Sequence, residues 1–163
     1  MIAEGYRLVD GPPSAEAYMM LREGAGLSPK TREQAAAGID GAWFAVHLVG
    51  PDETPVGMGR VIGDGGWYFH IIDMAVLPDH QRRGLGDAIL TTLIAHIRAT
   101  APPGAWINLL ADPPGRRLYT RHGFTETARL DRNVAQPLTP RAILRPGSSW
   151  LTVADPASRG GST

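Results

Sequence analysis

The feature that most constrains this chain is the junction near its middle, where a strand-like run meets a helix across a charged, glycine-bearing loop. WYFHIIDMAVL at 67–77 is apolar, aromatic and β-branched, which reads as a strand. From Asp87 the period becomes helical, with Ile89, Leu90, Leu93, Ile94 and Ile97 on one face. Between the two stand Gln81, Arg82 and Arg83, then glycines at 84 and 86. The first N–H groups of a helix have no partners within it and carry the positive end of its dipole. Glycines let the backbone curl until several of these donors converge on one phosphate, and the two arginines can neutralise it. The alternative is a solvated turn whose glycines only relieve backbone strain.

The rest of the chain fits an α/β domain around this junction. GYRLV at 5–9 reads as a first strand, and SAEAYMMLRE at 14–23 as a helix capped by Ser14. A second helix follows Thr31, with Gln34 placed for a capping box. AWFAVHLVG, TPVGMGRVIGD and WYFHIIDMAVL, separated by PDE and DGG, predict an antiparallel meander. After the helix that APPG ends come a strand, AWINLLA, and a short helix, PPGRRLYTRHG. SWLTV at 149–153 is the one strand candidate beyond about residue 130. The expected organisation is a single domain over 1–154 with a mixed, mostly antiparallel sheet flanked by helices, and a small polar tail, 155–163, without order.

Composition removes whole classes of function. The 163 residues carry no net formal charge, which argues against a nucleic-acid binder. There are no cysteines, so disulfides, zinc–thiolate sites and cysteine nucleophiles are excluded. No stretch approaches the ~18 apolar residues of a membrane span, and the N-terminal MIAEGYRLVDG lacks a signal-peptide core, so a cytoplasmic protein without membrane partners is expected. His47, His80, His96 and His122 are scattered without metal-ligand spacing, and no metal is expected.

Two familiar phosphate loops fail here. GxxxxGK[ST] is absent, and GxGxxG is broken because Gly84-Leu85-Gly86 runs into Asp87, Ala88 and Ile89. ATP and NAD are therefore poor candidates.

Gln81-Arg82-Arg83-Gly84-Leu85-Gly86, preceded by IIDMAV and Pro78, resembles the Q-x-x-G-x-G/A loop of the GCN5-related N-acetyltransferases. The later LYTRHGF is similar to that family's L-Y-x-x-x-G-F, and the likeness covers roughly residues 5–130. It implies acetyl-CoA held where two parallel strands splay apart. The pantetheine would pair with the backbone of Met74, Ala75 and Val76, as an added strand would. The pyrophosphate would lie on Gln81, Arg82, Arg83, Gly84, Leu85 and Gly86, with Asp87 opening the helix. Many relatives carry an Asn that touches the pantetheine arm seven positions before the family's tyrosine, and this chain has Asp112 there. GLSPKTREQAAAGI, VGMGRVIGDGG and IIDMAVLPDHQRRGLG are further similar to plant and bacterial serotonin (arylalkylamine) N-acetyltransferases, which implies a small aromatic amine as acceptor. A homodimer is compatible with the sequence and not specified by it.

An amine of pKa about 10 is nearly all ammonium at pH 7, a handicap of roughly 4 kcal/mol, so the site must take a proton before nitrogen attacks. The resemblance implies that Tyr119 protonates the departing CoA sulfur; otherwise its ring packs beside Leu118. For the base, His70 and Asp73 stand on the strand that enters the loop. His70 is of the residue type that titrates near neutrality. Asp73 inside an apolar strand is costly unless paired, which favours it slightly; its other reading is a structural carboxylate bonded to backbone or to Arg60. Simple alternation puts 70, 72, 74 and 76 on one face and 73 on the other, so both face the acceptor only if a bulge resets the register. Tyr18, Met19, Met20 and Leu27 are candidates for the acceptor pocket or for plain core. The rival functions are acetylation of a protein N-terminus or lysine, and a non-catalytic acyl-CoA sensor.

Overall fold

The computed structural model describes residues 2–126 and 149–153. Seven strands form one sheet in the order β1-β2-β3-β4-β5-β7-β6: β1 Arg7–Asp10, β2 Phe44–Val49, β3 Pro55–Gly63, β4 Tyr68–Val76, β5 Trp106–Ala111, β6 Thr125–Glu126 and β7 Ser149–Val153. Every neighbouring pair is antiparallel except β4 and β5. The helices are α1 Ala15–Gly24, α2 Arg32–Ile39, α3 Leu85–Thr100 and α4 Arg116–Arg121. The expected tail, 155–163, lies outside the described residues.

Local chemistry sets the helix ends. Ser14 accepts from the Ala17 N–H at the start of α1, and Thr31 and Gln34 close a reciprocal capping box at α2. At α3 the capping residue is Gly84, with φ of 76°, a conformation that costs glycine nothing. The loop there is shaped by backbone and not by a capping side chain.

Two cores lie on opposite faces of the sheet. The larger packs α3, through Leu85, Ile89, Leu90, Leu93, Ile94 and Ile97, against Val61, Phe69, Ile71, Ile107 and Leu109. The smaller packs α1 and α2, through Tyr18, Leu21, Ala35 and Ile39, onto Met58 and Ala75. Gly59 admits α3 closely, since a Cβ there would stand 2.5 Å from Ile89 and 2.8 Å from the Met74 sulfur. Among the described residues no helix is long and apolar enough to cross a membrane.

Candidate active site

The β3–β4 pairing is interrupted at the centre of the sheet. β3 and β4 are in register from Gly63–Phe69 to Arg60–Ile72, then resume at Met58–Ala75, so Gly59 alone faces both Asp73 and Met74. This is a β-bulge, and Asp73 takes a φ of 58° within it. The simple alternation expected from sequence is corrected here. Phe69 and Ile71, then Met74 and Val76, pack into the α3 core, whereas Ala75 packs under α1 and α2. His70 and Asp73 thus share the α1/α2 face, because the extra residue shifts the parity of everything after it.

At the same level β4 leaves β5. Their parallel pairing runs from Tyr68–Trp106 to Ile71–Leu109 and stops, although β4 continues to Val76 and β5 to Ala111. A strand edge within a sheet is thereby offered for backbone pairing where the resemblance puts pantetheine, at Met74, Ala75 and Val76. One acceptor of that edge is already used, because the Gln81 side-chain amide donates to the Val76 carbonyl at 2.9 Å. Gln81 therefore braces the loop against β4, and its own N–H donates to Pro78.

From there the chain turns through Arg82, with φ of 60°, and Gly84 into α3. The exposed Arg82 and Arg83 flank the helix entrance, and the Arg83 guanidinium lies 6.0 Å from the Tyr6 ring centre. Tyr6 also bonds His80 Nδ1 at 2.9 Å, so the segment before β1 holds the loop. Asp87, in the first turn of α3, pairs with His122 Nε2 at 2.9 Å and thereby ties α4 to the loop.

Tyr119 lies on α4 with its side chain buried beside Phe124, the ring centres 6.1 Å apart. Burial first, and the charge of Asp112 second, push its phenol up to about 12. It is a proton donor throughout the neutral range. Gly115 is required beneath it, since a Cβ there would stand 2.9 Å from the ring. Leu118, its neighbour, comes within 3.5 Å of where a Gly86 Cβ would be, which brings α4 and the entrance of α3 together.

The two base candidates have different surroundings. Asp73 is buried between two arginines: Arg22 Nη1 pairs with its Oδ1, while Arg60 donates to Oδ2 from Nε at 2.8 Å and pairs from Nη2 at 2.7 Å. The Tyr18 hydroxyl donates to Oδ2 as well, at 2.9 Å. Burial, then Asp73 itself, raises the Tyr18 phenol above its ordinary range. Arg22 continues to the Ser28 carbonyl at 2.9 Å and Arg60 to the Gly38 carbonyl at 2.5 Å, so one carboxylate ties α1, α2 and β3 to the bulge. This is the structural reading of Asp73, and it puts Tyr18 in the ion network. Met19 and Leu27 pack against the same small core, and Met20 is exposed.

His70 is half-buried, and its Nδ1 donates to Asn108 Oδ1 at 2.7 Å. Asn108 Nδ2 donates in turn to the Phe69 carbonyl at 3.3 Å, which fixes the amide so that its oxygen faces the ring. With the proton on Nδ1, the neutral imidazole carries its lone pair on Nε2. Sequence reasoning missed Arg22, Asn108 and the Tyr18 contact. A buried Asn in the apolar run WINLLA was a signal of the same kind as Asp73; Arg22 gave none, since it reads as an exposed helix position. Among the described residues no cluster could hold a metal ion.

The parting of β4 from β5 thus lies beside a glycine-capped helix entrance carrying Arg82 and Arg83. Residues 41–126 match the family model of the acetyltransferase (GNAT) domain, and the chain belongs to that family. A probable acetyltransferase of methicillin-resistant Staphylococcus aureus is 34% identical, with a TM-score of 0.70 over 83% of this chain and 98% of that one. The ribosomal-protein-S18-alanine N-acetyltransferase of Escherichia coli, 18% identical, shares the fold with a TM-score of 0.68 over 92% of this chain and 94% of that one. Arabidopsis thaliana NAA60, solved with a bisubstrate analogue, is 17% identical with a TM-score of 0.68 over 91% and 97% of the two chains. Among curated proteins none matches. The protein is an acetyltransferase, and the co-substrate of its family is acetyl-CoA or another acyl-CoA.

Proposed function

We propose that this protein transfers acetyl from acetyl-CoA to the primary amine of a small arylalkylamine, such as tryptamine or serotonin. The observation that carries the reading is the coincidence of three features at one level of β4: the bulge, the parting from β5, and the Asn108-held His70. His70 takes the proton from the ammonium, and the freed nitrogen attacks the thioester carbonyl. Backbone donors on the parted strand steady the tetrahedral oxyanion. The C–S bond then breaks, Tyr119 protonates the departing thiolate, and solvent restores the phenol. Acetyl passes directly, without a covalent enzyme intermediate. His70 is preferred to Asp73 as base because both Asp73 oxygens are engaged by arginines. Met74 and Ala75 remain the pantetheine contacts, and the loop from Arg82 to Gly86 the pyrophosphate contact. Asp112, whose charge acts on Tyr119, is the residue that the family likeness brings to the pantetheine arm.

Support for the acceptor class comes from the sequence likeness around residues 26–39, 56–66 and 71–86. The second reading, acetylation of a protein N-terminus, is favoured by the E. coli neighbour, which acts on a protein alanine by its name. Release of free CoA with a panel of amines separates them. Tryptamine should exceed an alanine-starting peptide and a lysine peptide at least tenfold in kcat/KM. A peptide preferred over every small amine would overturn the arylalkylamine reading, and no release with any amine would favour a sensor.

A further inference from the structure

The α1/α2 face of the sheet is unevenly covered. Helices roof it over Met58 and Ala75, but toward the β3–β4 turn Ile62, Tyr68 and Trp106 are 37%, 40% and 47% exposed. Register makes these residues neighbours of one another and of the base: Tyr68 stands opposite Trp106, Ile62 opposite His70, and His70 opposite Asn108. Large apolar side chains grouped at the surface mark binding sites more often than lone ones do. This group adjoins His70 on the side away from the loop that enters α3, so an amine held at His70 can extend over it.

We propose that Tyr68, Trp106 and Ile62 form the subsite for the acceptor's aromatic body, and that they select a spacer of two or three carbons between ring and nitrogen. The spacer follows from the strand. Side chains on one face stand about 7 Å apart along it, which one carbon is too short to bridge between His70 and the Tyr68–Trp106 row. Charge points the same way. The strip itself is uncharged, and Asp64, the carboxylate of the adjoining turn, already accepts from the N–H groups of Gly66, Trp67 and Tyr68. An aromatic ring laid on this uncharged strip gains two aromatic walls, Tyr68 and Trp106. The proposal rests on the reading of His70 as the base of an amine acetyltransferase.

The test compares phenethylamine, tryptamine, benzylamine and n-butylamine in wild-type, Tyr68→Ala, Trp106→Ala and Trp106→Phe proteins. CoA release gives kcat/KM, and calorimetry gives amine binding to the CoA-bound protein. Because both aromatics are exposed, the alanine variants should fold and bind CoA as wild type does. Each should lose about tenfold or more in kcat/KM for phenethylamine and tryptamine, as expected for an aromatic contact, while n-butylamine changes less than about twofold. Trp106→Phe should recover most of the loss, and benzylamine should be the poorest aromatic substrate. Equal losses for aromatic and aliphatic amines, or none, would overturn the subsite. If no amine releases CoA, the acetyl-transfer reading falls on its own. Phenethylamine binding that Trp106→Ala abolishes would then keep the subsite, and absence of that binding would remove it.

Discussion

Ahead of its bulge β4 is paired on both sides and presents Tyr68 to solvent; behind it the strand keeps only β3 and lies under two helices. One strand thus supplies an open apolar strip and a buried, half-paired edge, with His70 on one side of the break and Asp73 in it. Both residues are titratable and on the same face. What separates them is what each touches. His70 bonds a neutral amide, and Asp73 is immobilised by two guanidiniums and a phenol. A carboxylate in an apolar strand marks a place where the fold needs a charge. Whether that charge reacts depends on the lone pairs its neighbours leave.

The largest effect expected from this contrast is at His70. His70→Gln should lower kcat/KM for the amine by ~10²–10⁴-fold, the usual worth of a general base, and abolish the acidic limb of the pH profile. CoA affinity and thermal stability should stay as in wild type. A variant that keeps both the limb and the rate would break the assignment.

Asp73→Asn should show the opposite pattern. It leaves two buried guanidiniums short of a counter-charge, so the urea midpoint should fall by an amount corresponding to about 3–5 kcal/mol. The protein that remains folded should keep the wild-type shape of its pH profile. If instead stability is untouched and the acidic limb vanishes, Asp73 is the base and the contrast drawn between the two halves is reversed.

Much of the fold follows from sequence patterns that act over a few residues. The Thr31–Gln34 capping box, the apolar face of α3 and the glycine at its entrance need no knowledge of distant partners. The parity of β4 does. The bulge arises from how β3 and β4 register over nine residues each, and no local signal in IIDMAV announces that Asp73 will turn to the α1/α2 face. Arg22 was hidden for a similar reason, since only the docking of α1 on the sheet buries it. Tyr68 and Trp106 mislead in the other direction. In sequence they stand in strand-like apolar runs, and the structure leaves both exposed.

Gly86 sharpens the comparison from the cofactor side. A Cβ there would make only an ordinary contact, 3.5 Å from Leu118, so the protein should fold with Val at this position. The branched side chain would nevertheless crowd the backbone donors proposed to hold the pyrophosphate. CoA affinity should fall about tenfold by calorimetry while the amine KM at saturating acetyl-CoA is unchanged. Unaltered CoA binding would remove the phosphate from this loop, and a matching change in amine KM would show that the two ligands are not served by separate regions.

The smallest effect tests how dry the site is beyond the bulge. Buried Tyr119 has its phenol at about 12 in the folded protein, against an ordinary 10 in the unfolded chain. Between those values the folded state holds a proton that the unfolded state has lost. The stability contributed by the neutral phenol is therefore complete below pH 10 and is lost as pH rises toward 12. Tyr18, raised in the same direction, adds to the fall. Replacing Tyr119 with Phe removes one contributor and leaves the other. The drop in unfolding free energy from pH 8 to pH 11, read by urea denaturation, should thus be smaller in the variant by on the order of 1 kcal/mol. Equal drops in the two proteins would mean that water reaches the phenol, and Tyr119 would then lack the protected environment that makes it a reserved donor for the departing sulfur.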